Sequence, residues 1–242
     1  MSKIDIAPTN RLGRPWRILA VDDDLAIRQV VKLRLERAGC EVWTAGSAKD
    51  ALEVIEERGL PHLGIIDVMM PGMNGFELCE VLQSWCDLPV IMLTAVSDEG
   101  TVARGIRFFV EDYVTKPFRA AEFVSRVNRV LRRIGDFAYA LAPVVEADNR
   151  MAVDFAHQRL FLDGESVDLT PTESKLLYIL MRNAERPVST GFLLRRLWPN
   201  EERFEDVLRV HVSRLRQKVE PDTRRLRYIL TEREYGYRFI GR

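Results

Sequence analysis

Cysteine is scarce in this sequence. Its three thiols, Cys40, Cys79 and Cys86, are odd in number and stand at no metal-ligand spacing. That excludes a disulfide framework and a zinc site, and reads as reduced thiols of a cytosolic protein. Net charge is absent as well: 36 basic and 36 acidic side chains cancel, so any affinity for nucleic acid has to be local. Long apolar runs are missing, and nothing approaches the roughly 20 residues that cross a bilayer. The first 15 residues hold Pro8, Gly13 and Pro15 but no apolar stretch, so they read as a tail and not as a secretory signal. What is present is a hydrophobic content of 47% and a charged content of 30% over 242 residues. This is the makeup of a soluble, cytoplasmic protein with one large domain or two ordinary ones.

One stretch organises the first half. Leu63-Gly64-Ile65-Ile66-Asp67 is an apolar run ending in a carboxylate, with Pro71-Gly72 behind it, so a buried strand delivers Asp67 to a loop mouth. Taken alone, that aspartate could equally cap the next helix. Around it the spacing predicts strands at Arg17–Val21, Glu41–Ala45, Leu88–Leu93 and Asp112–Thr115. Helices alternate with them at about Leu25–Ala38, Ser47–Arg58, Gly75–Trp85, Asp98–Phe108 and Ala120–Arg133. The expectation is an α/β domain over residues 16–134, a doubly wound parallel sheet of five strands covered on both faces. Open sheets of this kind carry their chemistry at the carboxyl ends of the strands. Those ends hold Asp22 and Asp23, Asp67, Thr94 and Lys116. Carboxylates packed together repel unless a cation neutralises them, and oxygen ligands without His or Cys point to Mg²⁺. A lysine and a hydroxyl beside them suit a phosphoryl group added to a carboxylate.

The pieces Val21-Asp22-Asp23-Asp24, Ile66-Asp67-Val68-Met69-Met70-Pro71-Gly72-Met73-Asn74-Gly75, Leu93-Thr94-Ala95 and Tyr113-Val114-Thr115-Lys116-Pro117-Phe118 share their order and spacing with a known family. Arg17 to Arg133 resembles the flavodoxin-like receiver domain of two-component response regulators. The resemblance implies that Asp67 is the phosphoacceptor, fed by a sensor histidine kinase, and that Asp22, Asp23, Asp67 and the Met69 backbone carbonyl hold Mg²⁺. It implies that Thr94 and Lys116 bind the phosphoryl oxygens and that Tyr113 is the switch aromatic. Asp24 is expected to cap the next helix, and Lys116-Pro117 resembles the family's cis peptide. Met69 and Val96 are apolar where the family's hydrolytic water passes, so a long-lived phosphoryl group is expected. Members dimerise on activation through the fourth helix, fifth strand and fifth helix. Here that face departs from the pattern, with Val102 in place of a basic residue, Arg107 in place of an acidic one, and Phe109-Val110-Glu111 before Asp112. Glu122 and Arg126 are kept, and Asp112 is placed to pair with Arg126. A receiver whose altered face acts partly without phosphorylation is the alternative. A Mg²⁺-dependent phosphohydrolase with Asp67 as nucleophile is disfavoured, because Met69 stands where such enzymes keep a second carboxylate.

From 135 to 150 periodicity fails, which reads as a linker, and 151–242 forms a second domain. Val153–Phe155, Leu160–Leu162 and Val167–Leu169 alternate as short strands. Thr170-Pro171-Thr172-Glu173 opens a helix with a cap, an early proline and a returning glutamate. A second helix runs from about Thr190 to Leu197, and a third from Glu205 to Val219. In the third, Val207, Leu208, Val212, Leu215 and Val219 face a core, while Arg209, His211, Arg214, Arg216 and Lys218 spread over the other side. Val207 to Thr231 holds seven basic and two acidic residues, the asymmetry hidden by the overall balance. Such a helix can enter a major groove, or it can be a solvated face. A hairpin follows, Tyr228–Thr231 and Tyr237–Ile240, with Arg233 at a tip suited to a minor groove.

Leu169-Thr170-Pro171-Thr172-Glu173, the run Arg209 to Lys218 and Gly236-Tyr237-Arg238-Phe239 resemble the α+β winged helix-turn-helix effector of the OmpR/PhoB group. The resemblance implies promoter DNA bound at tandem half-sites, contacts from Val210, Arg214, Arg216 and Thr231, and RNA polymerase met by the loop from Trp198 to Phe204. Asp206, Ser213, Glu232 and Glu234 replace basic or neutral residues of the pattern, and Arg209 an acidic one. Acidic groups beside phosphates weaken binding, so weaker or more phosphorylation-dependent binding is expected.

Overall fold

A computed structural model of the protein describes residues 15–95, 110–134, 144–198 and 203–241. Contacts divide the chain into two compact units, parted in sequence between 136 and 137.

The first unit alternates β1 (Arg17–Val21), β2 (Glu41–Ala45), β3 (Leu63–Asp67), β4 (Val90–Ala95) and β5 (Asp112–Lys116) with α1 (Leu25–Arg37), α2 (Ala48–Arg58), α3 (Gly75–Trp85) and α4 (Ala120–Ile134). The strands are all parallel, in the order β2-β1-β3-β4-β5. Their apolar runs follow from burial on both faces, since Ile18–Val21 and Leu63–Ile66 are buried without alternation. On one face Ile18, Ala20, Ile65, Ile91 and Leu93 pack with Val31 and Leu35 of α1 and with Phe123, Val127 and Val130 of α4. Phe123 is fully buried there, and truncating it to alanine would cost about 3–5 kcal/mol.

Side chains at the strand ends start the helices. Asp24 accepts the amides of Ala26 and Ile27 at the head of α1, and Ser47 that of Asp50 at the head of α2. Asn74 accepts the amides of Phe76 and Glu77, and Glu77 returns a bond to the Asn74 amide. Gly75 is required where α3 begins: a Cβ there would stand 2.0 Å from the Asp67 carbonyl oxygen. Register brings the functional ends level, with Val21 beside Ile66, Asp67 beside Leu93 and Ala95 beside Lys116. The Lys116-Pro117 bond is cis. The helix expected at about 98–108, with Val96, Val102, Arg107 and Phe109, lies outside the described residues, so α4 is the fifth helix of the expected series.

The second unit opens with an antiparallel sheet of four strands, β6 (Val145–Glu146), β7 (Met151–Asp154), β8 (Arg159–Leu162) and β9 (Glu165–Asp168). Three strands and a linker reaching Arg150 were expected. β6 is two residues long, too short to show a period, and it pairs with β7 through Val145–Val153 and Glu146–Ala152. Next come α5 (Pro171–Arg182), β10 (Val188–Ser189), α6 (Thr190–Leu197), α7 (Glu205–Val219), β11 (Ile229–Glu232) and β12 (Gly236–Phe239). Thr170 and Glu173 form a reciprocal capping box at the head of α5. β10 joins the expected hairpin to give the order β10-β12-β11. Gly236 permits it, because a Cβ there would stand 2.0 Å from the Val188 carbonyl. Leu176, Leu193, Leu208, Val212, Leu215, Val219, Ile229 and Phe239 are buried, whereas Val207 is half-exposed. No helix among the described residues is long and apolar enough to cross a membrane.

Candidate functional sites

The ends of β1 and β3 bring one carboxylate oxygen each from Asp22, Asp23 and Asp67 within 4.8 Å of one another. Asp22 and Asp67 are buried and Asp23 is exposed. From the end of β5, the Lys116 ammonium lies 2.7 Å from Asp22 Oδ2 and 3.0 Å from Asp67 Oδ2. Burial pushes the Asp67 carboxyl above the usual carboxylate range, and the Asp22 charge adds to this. Lys116 and the Met69 amide, both hydrogen-bonded to Asp67, pull the other way. Two like charges about 4 Å apart repel by about 4 kcal/mol at an effective dielectric of about 20. One ammonium cannot offset three carboxylates, so the cluster has room for a further positive charge. The donors are all oxygen, which fits a hard divalent cation and not zinc.

Thr94 lies near the end of β4, one residue beyond the partner of Asp67, and its hydroxyl is 3.3 Å from the Ala95 carbonyl. Tyr113, the second residue of β5, has a buried hydroxyl with no hydrogen-bond partner among the described residues. Burial pushes that phenol up to about 12. Met69 is 68% exposed at the rim. Asp112 accepts from Arg126 at 3.2 Å and Arg129 at 2.7 Å, and Arg126 also meets Glu122 at 2.9 Å. Among the described residues of the expected dimer face, Asp112, Glu122 and Arg126 are thus paired within one chain.

In the second unit α7 exposes Arg209, Val210, Ser213, Arg214 and Gln217. Arg233 is exposed at the hairpin tip, next to Glu234, whose φ of 60° is the left-handed conformation of the turn. A cleft of about 540 Å³ between α7 and the hairpin is bordered by Arg209, Thr231, Glu205, Glu232 and Glu234.

Residues 18–128 match the response regulator receiver domain, and residues 164–239 match the C-terminal domain of transcriptional regulatory proteins. Similar along nearly the whole length is the transcriptional regulatory protein KdpE of Mycobacterium tuberculosis, 35% identical over 92% of this chain and 98% of that protein. The DNA-binding response regulator MtrA of Mycobacterium leprae is 34% identical over 92% of this chain and 97% of that one. The chain belongs to the OmpR/PhoB response regulators. Among solved structures, DrrB of Thermotoga maritima, an OmpR/PhoB homolog, is 31% identical over 94% of this chain and all of that one, with a TM-score of 0.46. By the two family matches, the first unit is the receiver and the second a DNA-binding effector with a winged helix.

Within the effector, some residues expected at the DNA are held elsewhere. Lys218 places its ammonium 2.7 Å from Glu173 and 2.8 Å from the Asp168 carbonyl, so it ties α7 to the head of α5. Helical periodicity does not reveal this engagement of Lys218 with a buried carboxylate. Arg216 donates to the Ile229 carbonyl at 2.8 Å and to the Thr231 hydroxyl at 2.8 Å, and lies over the Tyr237 ring. It braces the wing against α7, and Thr231 is its acceptor while still exposed. Arg209 lies 3.4 Å from Glu205 and 3.5 Å from Asp206, both surface pairs. Glu232 is paired with Arg238 at 2.6 Å. His211 is half-buried beside Trp198, with ring centroids 5.2 Å apart.

Two carboxylates went unanticipated. Glu220, buried at the end of α7, accepts the amides of Arg227, Tyr228 and Ile229 and so fixes the loop into the wing. Asp148 accepts from the Tyr228 hydroxyl and from Arg227. The only sequence signal for Glu220 was a lone acidic residue closing a basic helix.

Proposed function

We propose that a sensor histidine kinase transfers a phosphoryl group to Asp67 and that the resulting change in the receiver controls promoter binding by the effector. The observation that carries this reading is the Lys116 ammonium shared between Asp22 and Asp67, beside an exposed third carboxylate. An Asp67 carboxylate oxygen attacks phosphorus, a P–O bond forms, and the P–N bond to the donor imidazole breaks, with that nitrogen keeping the electron pair and regaining a proton from water. Lys116 follows the charge from the Asp67 oxygen to the phosphoryl oxygens, and the Thr94 hydroxyl swings from the Ala95 carbonyl to donate to one of them. Mg²⁺ held by Asp22, Asp23, Asp67 and the Met69 carbonyl would supply charge neutralisation for the approaching phosphoryl group. The Tyr113 hydroxyl has no hydrogen-bond partner among the described residues, which supports that ring as the element that takes a second position when a local charge change biases a two-state face.

The phosphorylated receiver pairs through the fourth helix of the sequence pattern, β5 and α4. Asp112, Arg126 and Glu122 exchange their internal partners for those of a second copy. Residues 16–134 then act as input, 135–150 as linker and 151–242 as output, in the cytoplasm. On tandem half-sites α7 enters the major groove with Arg209, Val210 and Arg214, while Thr231 and Arg233 approach the backbone and minor groove. Arg216 supports them from behind. The loop before α7, where Phe204 is 76% exposed, meets RNA polymerase. Intact-mass analysis after incubation with acetyl phosphate and Mg²⁺ tests the first step. A single phosphoryl adduct, absent in Asp67→Asn, is expected.

A further inference from the structure

Neighbouring residues of an extended chain point to opposite sides, so Asp22 and Asp23 cannot both reach Asp67 unless the backbone turns between them. The turn is held through Asp22. Its amide donates to the Ala45 carbonyl at 3.3 Å, and its Oδ1 accepts the Asp24 amide at 2.9 Å. Its Oδ2 accepts Lys116 at 2.7 Å. The remaining polar group is its carbonyl, which accepts from the Arg28 guanidinium. That carbonyl belongs to the planar peptide leading into Asp23, so its orientation fixes the direction in which Asp23 departs.

Arg28 reaches back from α1, and the β2–α2 connection leaves it a slot. A Cβ built on Gly46 would stand 3.4 Å from Arg28 Nη1 and 3.5 Å from Asp50 Oδ2. The absence of a side chain at Gly46 therefore leaves room for the guanidinium. Any larger side chain at Gly46 would compete for the same space.

We propose that Arg28 is a positioning residue for the cation site, holding the Asp22–Asp23 peptide so that both carboxylates face Asp67. This rests on the reading of Asp22, Asp23 and Asp67 as cation ligands. Groups that orient metal ligands set affinity: their removal weakens binding by about 10–100-fold. Charge alone gives the opposite sign, since deleting a cation near a cation site would strengthen binding.

The test titrates the full-length protein with Mn²⁺ and follows the free ion by electron paramagnetic resonance, in the wild type, Arg28→Ala and Arg28→Lys. The expected result is a loss of affinity of about tenfold in Arg28→Ala and a partial recovery in Arg28→Lys, which restores one donor. The Mg²⁺ concentration for half-maximal phosphorylation by acetyl phosphate rises to match, more than the rate at saturating Mg²⁺ falls. A merely structural role would instead lower the metal-free melting temperature of both variants with no change in that half-saturation. If Arg28→Ala does not fold, Arg28→Gln takes its place and is read the same way. Equal or tighter Mn²⁺ binding without the guanidinium overturns the proposal. A wild-type protein that binds no Mn²⁺ overturns the cation-site reading itself, a result distinct from the first.

Discussion

The ammonium of Lys218 stands 2.7 Å from the Glu173 carboxylate, so a member of the basic helix is engaged within the fold. Glu173 is 3% exposed and also closes the capping box of α5. Lys218→Met should destabilise the effector by about 2–3 kcal/mol, by stranding a buried carboxylate. The salt slope of DNA binding should stay unchanged, because no phosphate contact is lost. Urea unfolding and a salt titration of binding measure the two effects.

The same pair predicts a pH dependence. Burial pushes the Glu173 carboxyl up, but Lys218 and the Thr170 amide outweigh it and hold it below the usual range. A depressed folded-state value contributes stability that is present above the unfolded glutamate value of about 4.3 and lost as pH falls through the folded value. Wild-type stability should therefore drop below that pH, and a Glu173→Gln variant should show a shallower acid limb in melting curves.

Arg214 and Arg216 sit on one helix with different duties. Arg214 is exposed and Arg216 is bonded to Ile229 and Thr231. Arg214→Ala should weaken specific DNA binding by about 1–3 kcal/mol with melting unchanged. Arg216→Ala should lower the melting temperature and loosen the wing as well. Fluorescence anisotropy with promoter DNA, alongside melting, separates the roles.

Lys116 separates two buried carboxylates, so its removal leaves them to repel. Lys116→Ala should melt lower than wild type without metal, and Mg²⁺ should raise its melting temperature by more than it raises that of wild type. Calorimetry with and without Mg²⁺ checks this. Phosphorylation of the variant should be slower.

Met69 offers no polar group to orient water at the rim of the site, where it is 68% exposed. The phosphoryl group should accordingly outlast seconds, and Met69→Glu should shorten its life by supplying a base for the attacking water. Phosphate-affinity electrophoresis over time reads this directly.

The receiver was legible because its signals are local. Buried parallel strands are continuous apolar runs, and a carboxylate or lysine at their ends interrupts them abruptly, as at Asp67 and Lys116. Asn74-Gly75 carries its cap and its close approach in adjacent letters. In the effector the capping box at Thr170 and Glu173 was equally plain. What escaped was set by partners distant in sequence. Periodicity put Lys218 and Arg216 on the open side of α7, but long side chains reach around a helix to a buried acceptor, and Asp168, Glu173, Ile229 and Thr231 supplied those acceptors. β6 and β10 are two-residue strands with no period to detect. The hold of Arg28 on the Asp22 carbonyl lies between an arginine and a backbone group, which no side-chain pattern encodes.

The central claim is that phosphorylation at Asp67 governs DNA binding by α7 and the wing. Footprinting on genomic DNA, with and without acetyl phosphate and Mg²⁺, compares wild type with Asp67→Ala. Protection that appears or strengthens with the donor in wild type, and does not respond in Asp67→Ala, is the predicted result. Protection that is equally strong in both proteins, with and without the donor, would contradict it.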